Sequence, residues 1–314
     1  MAQETNTFSS YDAVGNREDL TNEIHMISPT DTPFQSAIKK ATAKAVYHEW
    51  QTDALAAASG SNAQIEGDTI SVDAASATTR LGNYCQILEK NARVTGTQEA
   101  VDKAGRSREM AYQVAKRMKE IKRDLETSLL ANNLRVAGND STARELGGLP
   151  TFAGVVVDAA DATAPTGDGT DIHTDGTAAA FTEAMLKEAH QEAWDEGADP
   201  SILMVGKYNK TVASTFTGGA TKFDKTEDKK LYATVDVYVG DFGDLKIVPN
   251  RFQPADMAFL VDPSMAKLCY LRRPFSQDIA VNGDNRTKQI LLEATLEVCN
   301  PKAHAMIADL TTSA

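Results

Sequence analysis

Cysteine is scarce in this 314-residue chain: Cys85, Cys269 and Cys299 are odd in number and widely spaced. That pattern argues against a disulfide framework and against a thiolate metal site. In strand-like surroundings they read as buried structural thiols. Aromatic residues make up only 6%, so the core must lean on aliphatic and alanine packing. No run of 18 apolar residues occurs, so the sequence predicts no transmembrane helix and no membrane partner. The first twenty residues lack a basic stretch followed by an apolar one, so no export signal is expected, and a reducing cytoplasm is the expected place of synthesis.

Catalytic motifs are missing as well. Val205-Gly206-Lys207-Tyr208 has the glycine and lysine of a phosphate loop but no Ser/Thr and no upstream glycine. There is no GxGxxG, GxSxG or HExxH. The five histidines (His25, His48, His173, His190, His304) show no ligand spacing. The best metal candidate is the quartet Asp168, Asp171, His173 and Asp175, but the bidentate glutamate of a calcium loop is absent, its position being Thr182. The segment reads as a solvated acidic loop. The expectation is therefore no catalytic residue, no cofactor and no metal.

What is present is ordinary globular material, 42% hydrophobic and 24% charged, enough for a core and for roughly two domains. The net charge of −12 disfavours a dedicated DNA-binding protein on a whole-chain count. Its distribution is uneven. Residues 136–200 hold thirteen acids and two bases, while 98–135 hold nine bases and six acids. Such asymmetry suggests faces in different surroundings, although acidic loops can also simply keep a chain soluble.

Residues 1–40 are polar and punctuated by Pro29 and Pro33, with short helices expected at 16–26 and after Thr32. They read as an arm laid on something. AVYHEW (45–50) and 79–95 have strand composition and flank a Gly/Ser/Ala-rich middle, giving an extended hairpin. A connection of that length is often partner-bound. Residues 97–135 read as one helix of about 38 residues, roughly 57 Å long, opened by a Thr95/Gln98 capping box. Val114, Met118, Ile121, Leu125 and Leu129 form its apolar stripe. Arg108, Lys116, Lys119, Lys122 and Arg123 share one flank, with Glu126 the exception. Asp102, Glu109, Glu120 and Asp124 share the other, joined by Arg106 and Arg117. The basic flank reads either as ordinary i,i+4 pairing or as a ridge facing a polyanion. Residues 140–180 read as loops. From 181 to 216 the pattern is helix–strand–helix, with Thr182 as N-cap, a Phe181/Leu186 staple, and Gly197 beyond the C-terminus of the first helix. Strands are expected at 232–240, 244–249, 258–263, 267–273 and 289–300. The class is α+β.

The residues themselves then carry a resemblance. Tyr11-Asp12-Ala13-Val14-Gly15, Arg17-Glu18-Asp19-Leu20 and Ile27-Ser28-Pro29-Thr30-Asp31-Thr32-Pro33-Phe34 resemble the arm of tailed-bacteriophage major capsid proteins. His48-Glu49-Trp50-Gln51-Thr52-Asp53 resembles the start of their extended loop, and Gly197-Ala198-Asp199-Pro200-Ser201 their helix-to-strand turn. The resemblance implies the HK97-like fold. It would make 1–43 the N-terminal arm, 44–95 the extended E-loop, 96–136 a peripheral domain with the spine helix, and 137–250 mainly the axial domain. Residues 251–314 would return to the peripheral sheet. It implies a structural, non-enzymatic protein that self-assembles into hexamers and pentamers of an icosahedral head around double-stranded DNA. Tyr11, Asp12, Arg17, Glu18, His48, Trp50 and Asp53 would be inter-subunit contacts, although Trp50 also reads as a packed strand residue. Arg108, Lys116, Lys119, Lys122 and Arg123 would face DNA. The implied partners are further copies of the chain, a separate scaffolding protein, a portal and a decoration protein. The implied location is the virion, after synthesis in the host bacterial cytoplasm. Some relatives crosslink through a lysine in the extended loop; here none lies between 51 and 89, which implies a noncovalent shell. An encapsulin-like cellular compartment and an unrecognised α+β enzyme remain as alternatives at this point.

Overall fold

The computed structural model describes residues 24, 26–67, 69, 74–216 and 237–313. In chain order its elements are α1 (Pro33–Ala37), β1 (Lys39–Thr42), β2 (Tyr47–Thr52), β3 (Thr79–Tyr84), β4 (Gln86–Thr95), α2 (Gly96–Ala100), α3 (Glu109–Leu130), β5 (Val155–Val157), α4 (Glu183–Asp195), β6 (Ile202–Val205), α5 (Lys207–Ala213), β7 (Val237–Gly240), β8 (Gly243–Pro249), β9 (Ala258–Val261), β10 (Ala266–Asp278), β11 (Asn285–Val298) and β12 (Ala305–Ile307). The class is α+β. A four-stranded sheet runs β1-β10-β11-β4, a six-stranded sheet runs β5-β12-β9-β6-β8-β7, and β2-β3 form a separate ribbon.

β11 is the spine of the first sheet, antiparallel to β10 on one side and to β4 on the other, with Gln86 opposite Ala294 and Thr95 opposite Asn285. α3 lies across β4 and β11. Its stripe does what the spacing predicts: Ile121, Leu125 and Leu129 are buried, and Val114 and Met118 pack half-buried on the same core. Each fully buried aliphatic there contributes about 1.5–3 kcal/mol.

Within the six-stranded sheet β6, β9 and β12 are buried on both faces, which explains the continuous apolar runs ILMV, AFLV and AMI, whereas β7 and β8 alternate buried and exposed residues. Alternation along each strand sends Met204, Phe259 and Met306 into the core shared with α3. It sends Leu203, Leu260, Ala305 and Ile307 into a second core, closed by Leu186, Ala189 and Ala193 of α4 and Ala213 of α5. The Thr182 hydroxyl accepts from the Met185 amide at 3.3 Å, and Gly197 takes φ +85° past the helix end, as expected.

Several expectations change. The 97–135 helix is not continuous. The capping box forms, Thr95 accepting from the Gln98 amide, but it opens only the five-residue α2. The chain then leaves helical geometry, Gly105 takes φ +75°, and α3 restarts at Glu109. There the Glu99 carboxylate accepts from the Glu109 and Met110 amides at 3.1 and 3.2 Å, satisfying two free donors of the new helix. At 22 residues α3 spans about 33 Å. The strand expected over 79–95 is two strands: the chain changes partner at Cys85, from β2 to β11. β5 interrupts the 140–180 loop region, and β1 was not anticipated. The helix expected at 16–26 lies outside the described residues except for Ile24 and Met26, which are not helical. Of 232–240 only β7 is described. Residues 251–314 feed both sheets, β10 and β11 in one and β9 and β12 in the other.

Candidate assembly and nucleic-acid surfaces

The ribbon begins at a heavily anchored root. Residues pair from Tyr47↔Tyr84 to Thr52↔Thr79. The Tyr47 and Tyr84 rings lie 4.6 Å apart, and the Arg135 guanidinium sits over Tyr47 and donates to the Gly82 carbonyl. Asn83 is fully buried. Its Nδ2 donates to the Gly147 and Leu296 carbonyls, both at 3.0 Å, and its Oδ1 accepts from the Gly147 amide at 2.8 Å. His48 Nε2 meets Glu297 Oε2 at 2.9 Å. The other Glu297 oxygen takes Lys267 Nζ at 2.8 Å, and the Cys269 thiol donates to Oε2 at 3.2 Å. His48 above all holds the Glu297 carboxyl down, to about 2; burial opposes this, and Lys267 and Cys269 add to the lowering. Trp50 packs against Phe152, ring centroids 6.0 Å apart.

His48 and Trp50 therefore face the body of their own chain. Asp53 is exposed beyond the last pair, its Oδ1 accepting from the adjacent Ala54 amide. Past it the described residues of 53–78 form no strand or helix, and Leu55 and Ile65 are 99% and 78% exposed. Beyond this firm root, Leu55 and Ile65 are left uncovered by the described residues of their own chain. Tyr11, Asp12, Arg17 and Glu18 lie outside the described residues.

On α3 the two flanks differ in more than sign. The three acids of that flank that lie on α3 are paired, Glu109 with Arg106, Glu120 with Arg117 at 2.6 Å and Asp124 with Lys90 at 2.7 Å, whereas Asp102 precedes the helix and makes no ion pair among the described residues. Arg108, Lys116, Lys119 and Lys122 are exposed and make no ion pair among the described residues. Ordinary i,i+4 pairing thus does not account for the basic flank. Arg123 departs from the group, half-buried with its guanidinium 5.9 Å from the Phe252 ring.

Glu126, the odd acid on that flank, is fully buried. Its oxygens accept from the Phe34 amide at 2.8 Å, the Gln35 amide at 3.0 Å and Asn250 Nδ2 at 2.9 Å. Burial raises its pKa against those donors. It ties α1, α3 and the end of β8 together, a role its lone position on the wheel hinted at without naming a partner.

The acidic quartet divides. Asp168 and Asp171 accept from Thr166 and Thr170 within their own loop. His173 and Asp175 turn the other way, toward Asp309 near the C-terminus. Cys85 and Cys269 are buried and Cys299 half-buried, all free. Burial pushes the Cys85 thiol up to about 11, and burial with the Glu297 contact pushes Cys269 up as well, so neither is an activated nucleophile. No helix among the described residues is long and apolar enough to cross a membrane.

A family model described as SU10 major capsid protein matches residues 3–311. The major capsid protein of Escherichia phage Phieco32 is 30% identical over 340 residues, covering 96% of this chain and 96% of that protein. Among solved structures, the capsid of a native GTA particle aligns with TM-score 0.64 at 9% identity, covering 96% of this chain and 98% of that one. The capsid of Cyanophage P-SCSP1u aligns with TM-score 0.61 at 11% identity, covering 98% and 96%. At such identities the structural likeness speaks for the fold, which is HK97-like.

Proposed function

Because this chain belongs to the SU10 major capsid protein family and is a phage major capsid protein, we propose that its hairpin and arm are the devices by which it closes a shell. The observation that carries this is the contrast along the hairpin. Its root is fixed by Asn83, His48 and Trp50, whereas Leu55 and Ile65 stand in water. Ordering such a segment costs conformational entropy that contacts with a neighbouring copy offset, through main-chain pairing and burial of those side chains. One patch meeting a different patch is a heterologous contact, which closes into rings; rings of five and six build an icosahedral head.

On this reading 1–43 is the arm, with Tyr11, Asp12, Arg17 and Glu18 on a neighbour, and 44–95 is the extended loop. Asp53 is retained as a contact, while His48 and Trp50 become root residues. Residues 96–136 carry the spine helix and 137–250 mainly the axial domain, while 251–314 are shared, β10 and β11 returning to the peripheral sheet and β9 and β12 completing the axial one. The unpaired flank Arg108, Lys116, Lys119 and Lys122 faces packaged double-stranded DNA and attracts phosphates without reading bases. The strongly acidic 136–200 segment faces away from it. The shell is noncovalent, built on a separate scaffolding protein, joined to a portal, and reinforced by a decoration protein. It is assembled in the host bacterial cytoplasm and resides in the virion.

Deleting 55–78 tests the proposal. The root contacts all lie outside the deletion, so the subunit should keep its wild-type circular dichroism and melting while shell yield falls at least tenfold. Wild-type shells from the deletion variant would refute it.

A further inference from the structure

The His173 imidazole is fully buried and faces three carboxylates. Nε2 lies 3.3 Å from Asp309 Oδ1 and 4.0 Å from Asp175 Oδ1, and Nδ1 lies 3.8 Å from Asp158 Oδ2. Nδ1 has no hydrogen-bond partner. Among the described residues no lysine or arginine pairs with any of these three aspartates. A neutral imidazole cannot satisfy this surround. With the proton on Nε2, the Nδ1 lone pair faces the Asp158 carboxylate; with the proton on Nδ1, the Nε2 lone pair faces Asp309. Either an imidazolium, protonated on both nitrogens, or a metal cation at Nε2 resolves both conflicts, and the 3.3 Å separation from Asp309, long for a charge-assisted hydrogen bond, favours the metal. The lone pair and the Asp309 and Asp175 oxygens become ligands, and Nδ1–H turns to Asp158, the usual outer partner of a metal-bound histidine.

From this geometry we infer a divalent transition-metal site, of the zinc class, formed by His173, Asp175 and Asp309. In a tetrahedron with bonds of about 2.0–2.1 Å, neighbouring ligands stand roughly 3.3–3.4 Å apart. The His173–Asp309 separation of 3.3 Å is that edge, and is long for a hydrogen bond to a charged acceptor. Magnesium requires a shorter octahedral edge and calcium avoids imidazole. Asp175 is 66% exposed at its side chain and 4.0 Å from Nε2, free to swing the roughly 0.7 Å that a tetrahedral edge requires, and water completes the shell.

The other two ligands are already oriented. Asp309 Oδ1 accepts from the Gly176 amide at 2.9 Å and Oδ2 from the Ala159 amide at 3.0 Å. The backbone of His173 is held by Asn132, which accepts from its amide at 3.1 Å and donates to its carbonyl at 2.7 Å. The ion would fasten the acidic segment after β5 to the chain beyond β12, and offset charge where the sequence is most negative.

The test uses untagged full-length protein, stripped with a chelator and titrated calorimetrically with Zn²⁺, with Co²⁺ as a spectroscopic probe. The expected result is one saturable Zn²⁺ site per chain and the visible absorption of tetrahedral cobalt without thiolate charge-transfer bands. Asp175→Asn should weaken binding at least tenfold without shifting the melting of the stripped protein, because its side chain is exposed. His173→Gln should abolish the cobalt spectrum. Absence of saturable binding would overturn the inference. So would binding that both variants leave unchanged, or a thiolate-type cobalt spectrum, which would place the metal at Cys269 and His48 instead.

Discussion

Glu297→Gln separates charge from shape at the hairpin root. The carboxylate is 11% exposed and receives His48 Nε2, Lys267 Nζ and the Cys269 thiol. Its folded-state pKa of about 2, against 4.5 for the free group, is worth about 3 kcal/mol of stability at neutral pH. The folded pKa is the lower one. The contribution is therefore fully present above pH 4.5 and is lost as the pH falls through about 2. Glutamine keeps the volume and one acceptor but cannot titrate, so the gap between wild type and variant must itself depend on pH. Urea unfolding of the soluble subunit, followed by tryptophan fluorescence with Trp50 beside His48, should show a gap of about 3 kcal/mol at pH 7 narrowing to about 1 kcal/mol at pH 3. A gap of the same size at both pH values, or one below about 0.5 kcal/mol at pH 7, would refute the assignment of Glu297 as a charged anchor.

Two further outcomes concern α3. Changing Arg108, Lys116, Lys119 and Lys122 together to glutamine should leave subunit melting and shell formation intact but cut DNA retention, measured as encapsidated DNA per particle across a salt series; unchanged retention would leave the ridge a solvated surface. Arg123 is excluded from that set because its guanidinium packs on Phe252, and replacing it would confuse lost charge with lost packing. Glu126→Ala strands the Phe34 and Gln35 amides and Asn250 Nδ2 in a buried site. At about 1–3 kcal/mol for each orphaned donor, urea denaturation should register a loss of several kcal/mol, and a loss below about 1 kcal/mol would contradict the junction described.

Elements whose information is local were legible in the sequence. The stripe from Val114 to Leu129 repeats at helical spacing and packs as one face. The runs ILMV and AFLV are apolar without alternation because both faces of their sheet are covered. Thr182 and Gly197 announce the ends of α4 through their own chemistry. The helix break was not legible: the apolar stripe begins only at Val114, so periodicity carried nothing over 101–108, and a lone glycine does not reveal its φ. β5 is three residues long, too short to show a period. The two clusters richest in charge could not be read at all. Glu126 meets Phe34, Gln35 and Asn250, and His173 meets Asp309, across separations that only the folded chain closes. The quartet 168–175 looked like one acidic loop because spacing cannot tell which side chains turn inward. The resemblance offers His48 and Trp50 as inter-subunit contacts, Trp50 also reading as a packed strand residue; alternation along β2 gives two faces, and only the packing of the ribbon on Phe152 and Glu297 says which is inward.

The central claim is that this chain builds a closed shell from its own copies. Electron microscopy of the purified full-length protein, with light scattering to weigh the particles, tests it most directly, alone and with a candidate scaffolding protein added. Closed shells, or isolated rings of five and six subunits, are the predicted result. A monomer that persists at high concentration with scaffold present would contradict it.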